Sequence, residues 1–211
     1  MKVDMEENVL LSDLQAALDH GIIVSRLARM LAEELGESEE FCNEIAQAGM
    51  LHDVGKLRLG EQLSRRNPNT LKVEKMNFVR LHPVLSRDIL LKYDYSDMIL
   101  ETVYHHHENY DGSGYPDNLK GEEIPYGSRI LRICDVFVAL ASERTYRTAF
   151  SVDTAMELLY EEAGHFDMRM LLAMQRLTQR RDFEDVKLMI ADANREMRLA
   201  KEPTENKEVN I

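Results

Sequence analysis

Apolar residues at Leu10, Leu14, Ala17, Val24, Leu27, Leu31 and Leu35 recur near the 3.6-residue period of a helix, with charged residues between them. The spacing predicts a long first helix. A second is predicted from about Glu39 to His52, with Phe41, Ile45 and Ala48 on one face and Gly55 as its stop signal. A third and a fourth flank His82-Pro83, and a fifth covers Tyr95 to about His107. The segment DNLKGEEIPYG breaks the pattern as a loop, and an apolar helix follows from about Ser128 to Leu140. Ser151 offers an N-cap to the next helix, and the last helices run from about Met168. No strand pair, internal repeat or domain-sized linker interrupts this. The chain therefore reads as one all-α domain over residues 1–200, followed by a charged tail, 201–211, that is expected to fray.

Composition narrows the class. The 211 residues are 44% hydrophobic and 30% charged, as in a globular protein with a real core. No run of about 18 uncharged apolar residues occurs, so no membrane span is expected. The N-terminus, MKVDMEENVLLSDLQ, has acids where a signal peptide would carry bases, so a cytoplasmic location is expected. Cys42 and Cys134 sit among apolar neighbours and read as small buried hydrophobes. A net charge of −12 argues against a duplex-binding surface, which needs clustered Lys and Arg. It leaves room for a small anion, because buried cations can supply local positive charge.

The candidate chemistry lies in seven histidines. His20 is four residues before Val24, and His52 is four after Ala48, so both share inward stripes. His106 follows Ile99 and Val103 on one face, while His107 follows Leu100 and Tyr104 on the next. Asp53 adjoins His52, and Asp135 follows Leu131 on a helix too apolar to be mainly solvated. Converging imidazoles and buried carboxylates need partners or a shared ligand. Each residue also has an ordinary reading. His20 or His82 would serve as a hydrogen-bonded histidine of the core or its boundary, Asp135 would pair with Arg132 or Arg144, and Asp111-Gly-Ser-Gly would be a common turn.

Together these elements resemble the HD-GYP subgroup of the HD-domain metal-dependent phosphohydrolases. The resemblance rests on "LHDVGK" at 51–56, "LHP" at 81–83, "HHENYDGSGYP" at 106–116, "LKGEEIP" at 119–125, "SRILRICDVFVAL" at 128–140, "SERTYR" at 142–147 and "GHFD" at 164–167. It covers residues 20 to about 167 and implies a helical HD-type bundle with a GYP loop beside a buried metal site.

By resemblance, His20, His52, Asp53 and Asp135 would hold one divalent metal and Asp53, His82, His106 and His107 a second, with Asp53 and a hydroxide bridging. Ligands without thiolate suit iron or manganese, though zinc, nickel or cobalt can occupy such a site in a preparation. The hydroxide would attack phosphorus, with Asp53 and Lys56 catalytic and Lys56 offsetting charge in the transition state. Lys56, Tyr115, Arg144 and Arg147 would contact the substrate, and Gly112 and Gly114 would permit the loop's bends. His105 and His165 take no role, and Glu108 is structural or supports the ligands. Members with three metals carry a glutamate where this chain has Ala16, so two metals are expected. Val138 stands where an aspartate commonly helps read guanine, so weak discrimination between cyclic di-GMP and cyclic GMP-AMP is expected.

The activity implied is hydrolysis of cyclic di-GMP to pGpG, and onward to GMP, in bacterial signalling. One alternative is a hydrolase of cyclic GMP-AMP or a simpler phosphoester. Another is a non-catalytic nucleotide sensor or protein-interaction module. No receiver or sensory unit is expected within the chain, so sensory input would come from protein partners.

Overall fold

The computed structural model describes residues 2–57, 79–144 and 147–201, and side chains within those spans from residue 14 to residue 200. The described residues form eight α-helices and no strand: α1 (Lys2–Glu34), α2 (Glu39–Leu51), α3 (His82–Leu90), α4 (Asp97–Tyr104), α5 (Tyr126–Ala141), α6 (Val152–Glu161), α7 (Met168–Thr178) and α8 (Phe183–Lys201). Short 3-10 turns occur at Gly121–Glu123 and Ala163–His165. The expected third helix falls within 58–78 and the frayed tail within 202–211, outside the described residues.

Helix starts follow the sequence signals. Ser38, Ser96 and Ser151 each accept a hydrogen bond from the backbone N–H three residues on, capping α2, α4 and α6. Asp167, itself buried, caps α7 through Arg169 N, and its other oxygen pairs with Arg129 of α5 at 2.8 Å. Helix α5 is the axis of the core. Its Ile130, Leu131, Ile133, Cys134, Phe137 and Val138 are fully buried, against α1, α2, α4, α6 and α7. Cys42 and Cys134 are buried free thiols, as expected.

Three sequence expectations shift. The inward stripe of α1 holds from Val24 to Leu31, but Leu14 and Ala17 are exposed, because periodicity defines a face without supplying a partner for it. Helix α4 stops at Tyr104, so His105, His106 and His107 lie in the turn beyond it rather than on helical faces. Gly55 is not simply a stop. A Cβ there would lie 2.4 Å from the carbonyl of His82, so the residue permits close contact between the turn after α2 and α3.

Glycine has a second packing use where α1 crosses α2. A Cβ on Gly49 would fall 2.8 Å from Ser25 Cα, and Ser25 Oγ donates to Ala46 O at 2.7 Å across the same contact. Overpacking costs about 1–3 kcal/mol, which exceeds the roughly 1 kcal/mol alanine gains over glycine in a helix. Gly49→Ala is therefore expected to lower the urea unfolding midpoint despite its better helix propensity. An unchanged or raised midpoint would show that the two helices can part without loss.

Candidate metal centre

The backbone aims the histidines. His52, His82 and His106 each direct Nδ1 at the carbonyl three residues earlier, of Gly49, Val79 and Val103, at 2.7, 2.7 and 2.6 Å. A carbonyl only accepts, so Nδ1 carries the hydrogen and a neutral ring presents the Nε2 lone pair inward. Those nitrogens crowd together: His82 Nε2 is 3.2 Å from His106 Nε2 and 3.1 Å from His107 Nε2. Without a proton or cation between them, facing lone pairs repel.

Two carboxylates enter the same space. Asp135 Oδ1 lies 3.0 Å from His20 Nε2 and 3.7 Å from His52 Nε2. Asp53 straddles the cluster, with Oδ2 3.4 Å from His52 Nε2 and Oδ1 3.2 Å from His82 Nε2. The donor atoms form three overlapping groups, each within 4.8 Å: His20, His52 and Asp135; His82, His106 and His107; and His52, Asp53 and His106. Two buried atoms facing the cluster, His52 Nε2 and Asp53 Oδ1, have no hydrogen-bond partner among the described residues. A divalent cation satisfies orphaned donors of this kind, and a histidine ligand characteristically gives its other N–H to a backbone carbonyl. The residues fit metal ions.

Electrostatics favour the ligand forms of Asp53, Asp135, His106 and His107, and oppose that of His52. Burial would raise Asp53, but the facing imidazoles of His52 and His82, with Lys56, hold it well below the usual carboxylate range. Asp135 is likewise held well below it by His20 and His52 against its burial. Burial pushes His106 well below the ordinary imidazole range and His107 down to about 3, keeping both neutral. Burial opposes charge on His52 too, but Asp53 and Asp135 outweigh it and raise that ring to about 10. At His52 a proton and a cation compete for one nitrogen.

The supports are local and specific. Ser86 Oγ, fully buried in α3, donates to His52 O at 2.7 Å and accepts from Gly55 N at 2.9 Å, fastening the His52-Asp53 turn. Beyond His107 the chain folds back on itself. Tyr115 N donates to His107 O, and the Tyr115 ring stacks on His107 at 4.9 Å and 28°. Gly112 has φ +87, and a Cβ on Gly114 would lie 2.2 Å from Asn109 N, so both glycines are required by the bend. His105 and Glu108 hold this loop through Asp117: His105 Nε2 meets its carboxylate at 3.2 Å, and Glu108 Oε1 accepts its N–H at 2.7 Å. Those contacts are structural. His165, partly exposed, lies 3.7 Å from Asp111.

The structure brings together all seven expected ligands, with Lys56 Nζ on Asp53 Oδ2 at the rim. Arg144 borders a cavity with Gln15, Ala16, Asp19 and His20. Arg147 is drawn elsewhere. Its guanidinium donates to the carbonyls of Ala139, Leu140 and Thr148 and lies 4.5 Å from the Phe150 ring centroid, closing the C-terminus of α5. Val138 is fully buried in the core. Asp135 pairs with histidines, not arginine. Sequence reasoning missed Ser86, Asn109 and Asp117, whose contacts exist only after the loops close.

A family model described as HD domain matches residues 4–170. This chain belongs to the HD-domain family. Among similar proteins, the cyclic di-GMP phosphodiesterase response regulator RpfG of Xanthomonas campestris is 38% identical over 156 residues, covering 72% of this chain and 41% of the relative. The 3'3'-cGAMP-specific phosphodiesterase 1 of Vibrio cholerae is 33% identical over 174 residues, covering 82% and 40%. The chain thus spans about two fifths of the length of these curated relatives. A solved cyclic GMP-AMP specific phosphodiesterase of Vibrio cholerae shares the fold, with a TM-score of 0.61 at 17% identity over 95% of this chain and 61% of that one. No helix among the described residues is long and apolar enough to cross a membrane.

Asp53 faces both halves of the cluster, so its charge matters to each. Asp53→Asn keeps the shape and removes the charge, and metal analysis after manganese loading is expected to read well under half the wild-type content. A fully loaded variant would show that the carboxylate is not shared.

Proposed function

We propose that this chain is a divalent-metal-dependent phosphodiesterase that opens a cyclic dinucleotide, converting cyclic di-GMP to linear pGpG. The observation that carries the reading is the convergence of five imidazoles and two carboxylates around buried, unpartnered donor atoms. We assign His20, His52, Asp53 and Asp135 to one cation and Asp53, His82, His106 and His107 to another. Iron or manganese is the favoured pair, since no thiolate enters the set. The relatives named for cyclic di-GMP and for 3'3'-cGAMP support a cyclic dinucleotide as the substrate class.

When bound, such cations supply concentrated positive charge that acidifies water and polarises a phosphoryl oxygen. The overall change adds water to phosphorus and breaks its bond to the ribose O3'. The leaving alkoxide takes a proton, and a 5'-phosphate remains. The protein's part is to hold ionised carboxylates and neutral imidazoles rigidly, so that nothing reorganises as charge develops. Lys56 stands half-exposed at the rim beside Asp53, where an incoming anionic diester can draw its ammonium across. Tyr115, stacked on His107 with Arg80 5.2 Å from its ring centroid, offers a flat wall for a base or ribose. A sensor without turnover has no physical need for so complete a ligand set.

The relative named for 3'3'-cGAMP, matching 82% of this chain, supports a second reading in which that dinucleotide is preferred. Anaerobically prepared protein loaded with iron or manganese and given either dinucleotide decides the matter. Linear product is expected. Binding of both without turnover under either metal would instead identify a sensor. Lys56→Met is expected to lower kcat on the order of 100-fold while KM changes little, because the ammonium meets charge that grows during attack. An unchanged kcat with a raised KM would reverse that assignment.

A further inference from the structure

Arg132 stands in α5 three residues before Asp135, and nothing in the ligand set calls for a cation there. Its Nε and Nη2 both donate to Asn109 Oδ1, at 3.0 and 2.9 Å, and its guanidinium lies 6.0 Å from the Phe166 ring centroid. Asn109 is fixed in turn: its Nδ2 donates to Ser113 Oγ at 2.9 Å, and Ser113 donates to Asp111 Oδ1 through both hydroxyl and backbone N–H. Two donors are thus held by a neutral amide oxygen. Among the described residues no carboxylate is in ion-pair contact with Arg132, and Asp135 and Glu162 act on it only at longer range.

An arginine neutralised by an acid is structural by default. One held only by an amide keeps its full charge, and burying such a charge is costly unless an anion arrives. Arg132 is partly buried, and burial pushes its guanidinium below its ordinary value. The residue stands three residues before Asp135, on a neighbouring position of the same face of α5, and Asn109, which holds it, lies two residues beyond His107 on the loop that carries Tyr115. The planar fork has five donors, and the three not given to Asn109 suit phosphate oxygens.

We propose that Arg132, positioned by Asn109, is an anion-binding residue that seats a phosphate of the substrate beside the His107–Tyr115 wall. The identity of the anion as a phosphodiester rests on the phosphodiesterase reading; the guanidinium fixed by an amide does not. Nothing in the motifs that carry the family resemblance assigns this residue a role.

Calorimetric titration of the metal-loaded protein with cyclic di-GMP and, separately, with inorganic phosphate tests the assignment without requiring turnover. Arg132→Gln is expected to weaken both by about tenfold or more, with metal content unchanged. Arg132→Lys keeps the charge but loses the fork, and should fall between. Asn109→Ala should raise KM with little effect on kcat. Wild-type affinity for both probes in a fully loaded Arg132→Gln overturns the proposal, as does a wild type that binds neither. If Arg132→Gln loses metal or fails to fold, Arg132→Lys decides, and unchanged affinity there overturns it. A wild type that binds through Arg132 but hydrolyses no dinucleotide refutes the activity and leaves this assignment standing. One that hydrolyses with KM unmoved in both variants does the reverse.

Discussion

Gly49, Val79 and Val103 each turn a backbone carbonyl onto the Nδ1 of the histidine three residues later, and this thrice-used hydrogen bond points three basic nitrogens at one small volume. Neutral imidazoles so arranged repel through their lone pairs, and the carboxylates of Asp53 and Asp135 beside them are costly to bury alone. Together the two sets are complementary to divalent cations. Much of the surrounding structure serves to keep that geometry. Ser86 clasps the turn that carries His52 and Asp53, Gly55 lets α3 approach it, and the apolar face of α5 seats Asp135 against His20.

A centre of this kind resolves the tension between a net charge of −12 and an anionic substrate. Long-range charge disfavours approach, while local charge decides binding, because fields from a partly desolvated site are screened less than those of the solvated surface. Lys56, Arg132 and Arg147 are not equivalent. Lys56 shares a carboxylate with the ligand set, Arg132 is held by an amide, and Arg147 ties down the end of its own helix. The type of partner separates them, not their distance along the sequence. A guanidinium saturated by carbonyls has few donors left, whereas one held by a single amide oxygen retains a fork.

The loop from His107 to Lys120 shows how one segment combines rigidity with a chemical surface. Asp117 is gripped by both His105 and Glu108, Asn109 donates to Ser113 and Ser113 to Asp111, and the result presents the Tyr115 ring flat on His107. Its polar side chains are engaged mostly within the loop, so the wall beside the metal centre is preformed. Such preorganisation is what electrostatic catalysis of phosphoryl transfer needs, since donors already in place do not reorganise in the transition state.

The helical class and the cap at Ser151 were legible in the chain itself, and the seven clustered residues were legible through the motifs that carry the family resemblance. Periodicity and capping are local, and imidazoles and carboxylates on apolar stripes call for partners or a shared ligand without saying which residues share it. The tertiary structure decided which signals had partners. Leu14 continues the apolar period of α1 but is exposed, because no facing helix among the described residues covers it. His106 and His107 reach the centre from a turn past the end of α4, not along the helical faces the spacing suggested. Val138 stands at a departure in the motif, and its side chain packs into the core. Ser86, Asn109 and Asp117 bear no mark in sequence, since their worth lies in contacts across 34, 23 and 9–12 residues of chain. Composition and period depend on neighbours a few residues apart; the direction of a side chain and the charge left on it depend on groups that only folding brings within reach.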